Sequence, residues 1–441
     1  MLSGMRKPTL VPPDPTTDPV YLTAAAISSL IQTLPSGTAY GIGVVLIVMM
    51  TGRLMQYKGS LARAVLPFVV HLKWGWHRVE RAMERGKFTL DDLFDCAFQW
   101  CSDHLEVEVV RLGELEREVI SLDSSTIARP RCQVGKAELL GKGYWHRAGR
   151  AVRGNIVAAA VSVVLIRGVR VGLVRRVRLG VSCEAAVEKL FDDLPQSQGH
   201  SLVVVDAGIA TKEQFAEATP ERALLGRLRI NCQVRCAPPP PNGKRGRDPI
   251  HGPVLHPGRG APEVAPDEEI QCAGAKGAIR LRRWQKVHCE GYEKTQLDVL
   301  RVDDPAYERP LLLGTTAREL TIKEFAQAYP HRWPVETLFY IGEETTATEK
   351  PRAWIEQAVE RRIGLGLLSG SLLKAIAATG EGLAMGPWDK KPQPTAGRFA
   401  NHLEIHAEHF AALALTKVAP RNYRKNPKSA QAKDLQHKIA A

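Results

Sequence analysis

The chain has no apolar run long enough to cross a bilayer. Its longest, Ile42 to Met50, is far short of the ~20 residues a spanning helix needs, and Arg53 and Lys58 follow closely. A buried helix is expected there, and no membrane partner. No Gly-x4-Gly-Lys-Ser/Thr loop is present, which removes an ATP-driven step. Nothing resembles a signal peptide, and no internal repeat divides the chain. The 8 cysteines, at positions 96, 101, 132, 183, 232, 236, 272 and 289, are not spaced as a disulfide framework, which fits a reducing cytoplasm. Cys232-x3-Cys236 lacks a second pair at zinc-finger spacing; Cys272 and Cys289 keep structural zinc open. His402, His406 and His409 fall on one helical face, a pattern met more often in packing or on surfaces than around metals.

What is present is length, ordinary apolar content and positive charge. With 441 residues, 44% of them hydrophobic, the chain can build roughly three domains with sizeable cores. Its formal net charge of +13 favours a polyanionic partner, because neutralised phosphates release condensed counterions.

The texture changes along the chain. Residues 1–20 are Pro- and Thr-rich and read as a disordered arm. Residues 21–112 are mostly helical in pattern and read as a DNA-binding domain, with breaks near Pro35 and Gly86. From residue 113 to 232, runs rich in Val, Ile and Leu (119–122, 156–166, 169–179, 201–205) read as strands, with helices at Cys183–Leu194 and Thr211–Ala218. Arginines alternate along the third of these strands. Residues 233–305 read as a β-rich insertion that starts with a Pro/Gly/basic loop, and 306–380 resume the core with a helix from about Ile322. Residues 381–441 read as a helical region with a basic tail. The fold class is therefore α/β. The β-β-β-α-β-α order matches a ribonuclease-H-like mixed sheet carrying the insertion, between helical flanks.

Two aspartates end apolar runs, Asp123 after Val119–Leu122 and Asp206 after Leu202–Val205. A glutamate, Glu336, lies in Tyr329-Pro330-His331-Arg332-Trp333-Pro334-Val335-Glu336, a Y-x2-R-x3-E string. Three carboxylates from separate elements suit hard divalent cations, and two such ions about 4 Å apart promote in-line phosphodiester chemistry. Taken alone, each aspartate reads more readily as a strand-end turn residue than as a ligand, and it is their order and joint context that point to a site.

The string, the order of the carboxylates and the insertion resemble bacterial insertion-sequence DDE transposases with a Y-x2-R-x3-E-x6-K signature, over roughly residues 115–350. The resemblance implies that Asp123, Asp206 and Glu336 are the catalytic metal ligands for Mg²⁺, with Mn²⁺ able to substitute. It places Tyr329 and Arg332 on the phosphate backbone near the cut and Trp333 against a flipped base. Implied partners are duplex DNA at terminal inverted repeats, target DNA and a second copy in a homodimeric synaptic complex. The implied location is the bacterial cytoplasm, at the nucleoid.

Other DNA-binding candidates are Arg129, Arg131, Lys136, Lys142, Arg147, Arg150 and Arg153, interleaved with Tyr144 and Trp145, and Trp284 in the insertion. The signature lysine falls on Glu343. Lys350, one heptad beyond, would lie on roughly the same helix face, and Glu343 and Glu344 offer rival carboxylates. Two alternatives share the fold: a relic or regulator that binds element ends without cutting, and a metal-dependent nuclease that hydrolyses without joining.

Overall fold

The computed structural model describes residues 18–70, 77–129, 140–194, 199–239, 251–260, 262–353, 355–380, 382–384 and 388–418, with no side chains for 67–70 and 146. The N-terminal arm through residue 17, Arg131, Lys136, residues 240–250 and 261 of the Gly/Pro/basic loop and the basic tail from residue 419 lie outside the described residues. The chain divides into two compact units, Met1–Leu105 with Ile341–Ala441, and Glu106–Tyr340.

The first unit opens with α1 (Pro19–Gln32), where Asp18 accepts from the amides of Val20 and Tyr21 and Pro19 sits where no amide is required. The apolar run then forms α2 (Ser36–Met50), buried along nearly its whole length. It is a core helix, as its length and flanking cations indicate. Next come α3 (Arg53–Gln56), α4 (Leu61–Val70), α5 (His77–Arg85) and α6 (Leu90–His104), the last capped by Thr89. Gly41 lets α2 meet α5, since a Cβ there would lie 2.5 Å from that of Ala82.

The second unit is a mixed sheet. Its first strands are β1 (Val107–Val109), β2 (Arg111–Leu112), β3 (Arg117–Ala128), β4 (Gly141–Trp145), β5 (Arg150–Ile166) and β6 (Val169–Gly180). Helix α7 (Cys183–Asp192) leads to β7 (Ser201–Val205), and α8 (Lys212–Glu217) to β8 (Arg222–Leu228). The order β6-β5-β3-β7-β8 is antiparallel through β3 and parallel from β3 to β8. A small pair, β9 (Val234–Arg235) and β10 (Val254–Leu255), follows. Then β11 (Glu268–Gly274), β12 (Gly277–Val287), β13 (Leu297–Asp303) and β14 (Leu311–Thr315) extend the same sheet beyond β8, all antiparallel. The segment expected as an insertion is thus largely a continuation of the main sheet.

Both faces of the central strands are covered, which explains why β7 reads as a continuous apolar run. Val119, Leu202, Val204 and Leu225 pack towards Phe325, Ala328 and Tyr329. Ile120, Leu122, Val203, Val205 and Leu224 pack the other way, towards Leu190, Phe191 and Phe215. Period-2 alternation therefore puts Val119, Ser121 and Asp123 on the face that receives the Tyr329 segment.

Two local expectations need correction. Asp123 does not end its strand, because β3 continues to Ala128. The helix from Ile322 is not continuous: α9 (Ile322–Ala328) gives way to a 3₁₀ turn at Tyr329–Arg332 before α10 (Trp333–Ile341). Pro330 has no amide for the helical ladder, so the break falls there.

The remainder of the first unit follows. A π-helical turn at Gly342–Thr346 ends at Ala347, whose φ is 63°. Lys350 lies beyond that stop, its Nζ 3.3 Å from Met55 Sδ, so it shares no helix face with Glu336. Helices α11 (Glu356–Thr379), α12 (Ala396–Ile405) and α13 (Ala407–Leu415) complete the unit, with α11 and α13 packing on α1 and α2. The segment 341–380, expected with the core, groups with these helices. His406 stands at the break between α12 and α13, so the three histidines share no single helix.

Candidate active site

Four segments of the second unit meet around one arginine. Asp123 projects from the middle of β3, and its Oδ1 accepts from the Ser124 amide at 2.7 Å. Asp206 follows β7, the parallel neighbour of β3. The 3₁₀ turn supplies Tyr329 and Arg332, and α10 supplies Glu336. Tyr329 donates its hydroxyl to Asp206 Oδ1 at 2.9 Å. The Arg332 guanidinium contacts Glu336, one helical turn on, and lies 3.8 Å from Asp123 Oδ2. It also sits over the rings of Tyr329 and Trp333, at 5.4 and 5.2 Å from their centroids.

Backbone contacts tie the turn to the sheet. Ser121, two residues before Asp123 on the same face and fully buried, donates its hydroxyl to the Arg332 carbonyl at 2.6 Å. Arg170 of β6 reaches the Pro330 carbonyl at 3.2 Å. Gly172 leaves room for Pro334, whose Cβ would be 3.1 Å from an added side chain. The sequence reading missed Ser121; its only signal was the shared parity with Asp123.

The electrostatics are those of a buried, carboxylate-rich centre. Burial pushes the Asp123 carboxyl up to about 6; Glu336 and Asp206 add to the rise, while the Ser124 amide and Arg332 oppose it. For Arg332, burial works against the charge, but the contact with Glu336 and the nearby Tyr329 and Asp206 outweigh it and raise its pKa. Burial, followed by Arg170, pushes His331 down to about 4, so it stays neutral near pH 7. Cys183, at the start of α7, lies 2.9 Å from Ser124 Oγ with its thiol raised by burial.

The donor set is chemically suited to a hard divalent cation: three carboxylates, one of them costly to keep charged without a cation nearby. Among the described residues, no three of His, Cys, Asp and Glu stand at the spacing of one bound ion. This holds for the Cys232 and Cys236 region and for the three carboxylates alike. At the carboxylates, the guanidinium of Arg332 holds the cationic position between Asp123 and Glu336.

The remaining expected DNA contacts divide. Trp333 is 57% exposed, with the Arg332 guanidinium over its ring. Lys142 is exposed on β4 directly across from Arg153 on β5, with Tyr144 65% exposed on the same face. Arg147 is exposed in the turn between them, and half-buried Arg129 reaches Asn155 at 3.4 Å. Trp284 is not available: it is 1% exposed within a core cluster, and its indole donates to the Val264 carbonyl at 3.0 Å. Tyr329 and Arg332 are both buried and face the carboxylates. Glu343 and Glu344 belong to the π-helical turn of the other unit.

No protein-family model matches the chain, and no curated protein matches it significantly. Among the described residues, no helix is long and apolar enough to cross a membrane.

Proposed function

We propose that the protein is a metal-dependent DNA-cleaving and strand-transferring enzyme of the DDE transposase type, with a ribonuclease-H-like second unit. The observation that carries this reading is the convergence of Asp123, Asp206 and Glu336 on Arg332, from neighbouring parallel strands and an adjoining helix. The strand order β6-β5-β3-β7-β8 supports it independently, since it is the order expected for that fold.

In this reading Asp123, Asp206 and Glu336 would hold Mg²⁺ or Mn²⁺, which when bound supplies an activated oxygen nucleophile and charge stabilisation at phosphorus. Tyr329 fixes the rotamer of Asp206 through its hydroxyl, and Ser121 fixes the turn that carries Arg332 and Glu336. Trp333 offers an exposed ring beside the carboxylates for a base displaced from the duplex. Lys142, Arg153 and Tyr144 form a cationic and aromatic face suited to phosphate and base contact. The substrate is duplex DNA at the ends of a mobile element, and the products are joined to target DNA by a homodimer that pairs two ends.

The test is incubation with Mg²⁺ or Mn²⁺ and labelled DNA from the gene's own flanking repeats, beside a Glu336→Gln control. Metal-dependent cuts at the repeat boundary, lost in the control and followed by joined products, are the expected result. Cuts without joining would indicate a nuclease, and binding without cutting a regulator.

A further inference from the structure

The placement of Arg332 raises a question that the catalytic reading leaves open, namely what neutralises the carboxylates before a metal arrives. Three carboxylates share one guanidinium, which contacts Glu336 and lies 3.8 Å from Asp123. That guanidinium is 6% exposed and flanked by two aromatic rings, and its Nε is buried with no hydrogen-bond partner. The Nε of Arg282, which pairs with Asp303, also goes without a partner, so what sets Arg332 apart is its place beside Glu336 and Asp123 with Asp206 nearby. Arg332 is held in place by charge, with part of its hydrogen-bonding capacity unused.

We infer that Arg332 is an internal counter-cation that competes with divalent metal for Asp123 and Glu336, so that metal entry requires the guanidinium to withdraw. The inference rests on the metal-binding reading of these carboxylates. A guanidinium and a dication cannot both lie between the same two carboxylates without strong repulsion. The ion pair therefore lowers apparent metal affinity by the fraction of time the carboxylates are free of it. The side chain has an alternative partner of the right kind, because a planar guanidinium pairs bidentately with phosphate. Its carbonyl anchor to Ser121 leaves the turn in place while the side chain moves.

The experiment is titration of the full chain with Mn²⁺ alone, following free Mn²⁺ by electron paramagnetic resonance, for wild type, Arg332→Gln and Glu336→Gln. Competition predicts that Arg332→Gln binds Mn²⁺ about 10-fold or more tightly than wild type, as for a site otherwise free about a tenth of the time. Equal or weaker binding would overturn the inference and make Arg332 a support of the site. A second measurement needs no variant. Phenylglyoxal modification of the Arg332 peptide in wild type should accelerate when Mn²⁺ is added, because the withdrawn guanidinium becomes accessible. Unchanged or slower modification overturns the inference even if Arg332→Gln does not fold. Mn²⁺ binding in wild type that Glu336→Gln loses and Arg332→Gln leaves unchanged defeats the competition alone. Absence of Mn²⁺ binding in both wild type and Arg332→Gln defeats the metal reading with it.

Discussion

Of the arginines that the sheet unit buries beside carboxylates, Arg283 and Arg332 differ in a way that separates architecture from chemistry. In the β12–β13 extension, Arg283 pairs with Asp298 through Nε at 3.0 Å and Nη2 at 2.5 Å. Its remaining donors go to the carbonyls of Leu320 and Arg318, and Asp298 also accepts from the Lys286 amide. Every guanidinium nitrogen has an acceptor, and Glu268 adds a second carboxylate 3.7 Å from Nη1. At the candidate site the cation lies beside Glu336 and Asp123 with the charge of Asp206 nearby, its Nε goes without a partner and the Asp123 carboxyl is pushed up to about 6. A completed pair fixes a sheet, whereas an excess of buried anions is what a cation-dependent reaction needs.

The largest expected effect is at the incomplete cluster. Glu336→Gln should lower DNA cleavage by about 10,000-fold or more while leaving the circular dichroism spectrum unchanged, as for groups that act as a unit. Loss of folding instead would make Glu336 structural. The complete pair should respond in the opposite manner. Asp298→Ala strands a buried Arg283 and should cost about 3–5 kcal/mol in the urea unfolding of this unit. A cost under about 1 kcal/mol would remove the contrast.

Next is Asp123→Asn. Because the folded carboxyl titrates near 6 and an unfolded one near 3.8, the folded state holds more protons in that window. Its stabilising contribution is full below pH 3.8 and lost as pH rises through 6. Removing the charge should therefore stabilise the unit by about 3 kcal/mol at pH 8, and the gain should vanish near pH 4. Urea midpoints across that range provide the measurement, and a pH-independent difference would contradict the buried charge. The smallest stability effect belongs to Trp333→Ala, under about 0.5 kcal/mol given its exposure, with DNA affinity falling about 10-fold. Unchanged affinity would remove Trp333 from the interface.

The contrast also explains what was legible in the chain. The strands around Asp123 and Asp206 were readable because both faces of β7 are covered, which forces a continuous apolar run. The extent of β3 was not, because Ser124, Ser125 and Thr126 are polar although they pair with β5. Trp284 was misread for a related reason. Its neighbours Arg282 and Arg283 look like surface residues until they meet Asp303 and Asp298 across the sheet, partners 21 and 15 residues away. The carboxylate order and the Tyr329–Glu336 string were legible as local patterns. The inward turn of Arg332 depends on the break at Pro330, and a helical reading hides it.

One consequence concerns the order in which the chain is made. The sheet unit is contiguous, Glu106–Tyr340, whereas the helical unit joins Met1–Leu105 to Ile341–Ala441, with α11 and α13 against α1 and α2. A ribosome therefore delivers every strand of the sheet before the last helices exist. The surfaces of α1 and α2 that meet α11 and α13 wait through more than half of translation for those partners, so nascent α2, almost wholly apolar, is where a chaperone would be needed most.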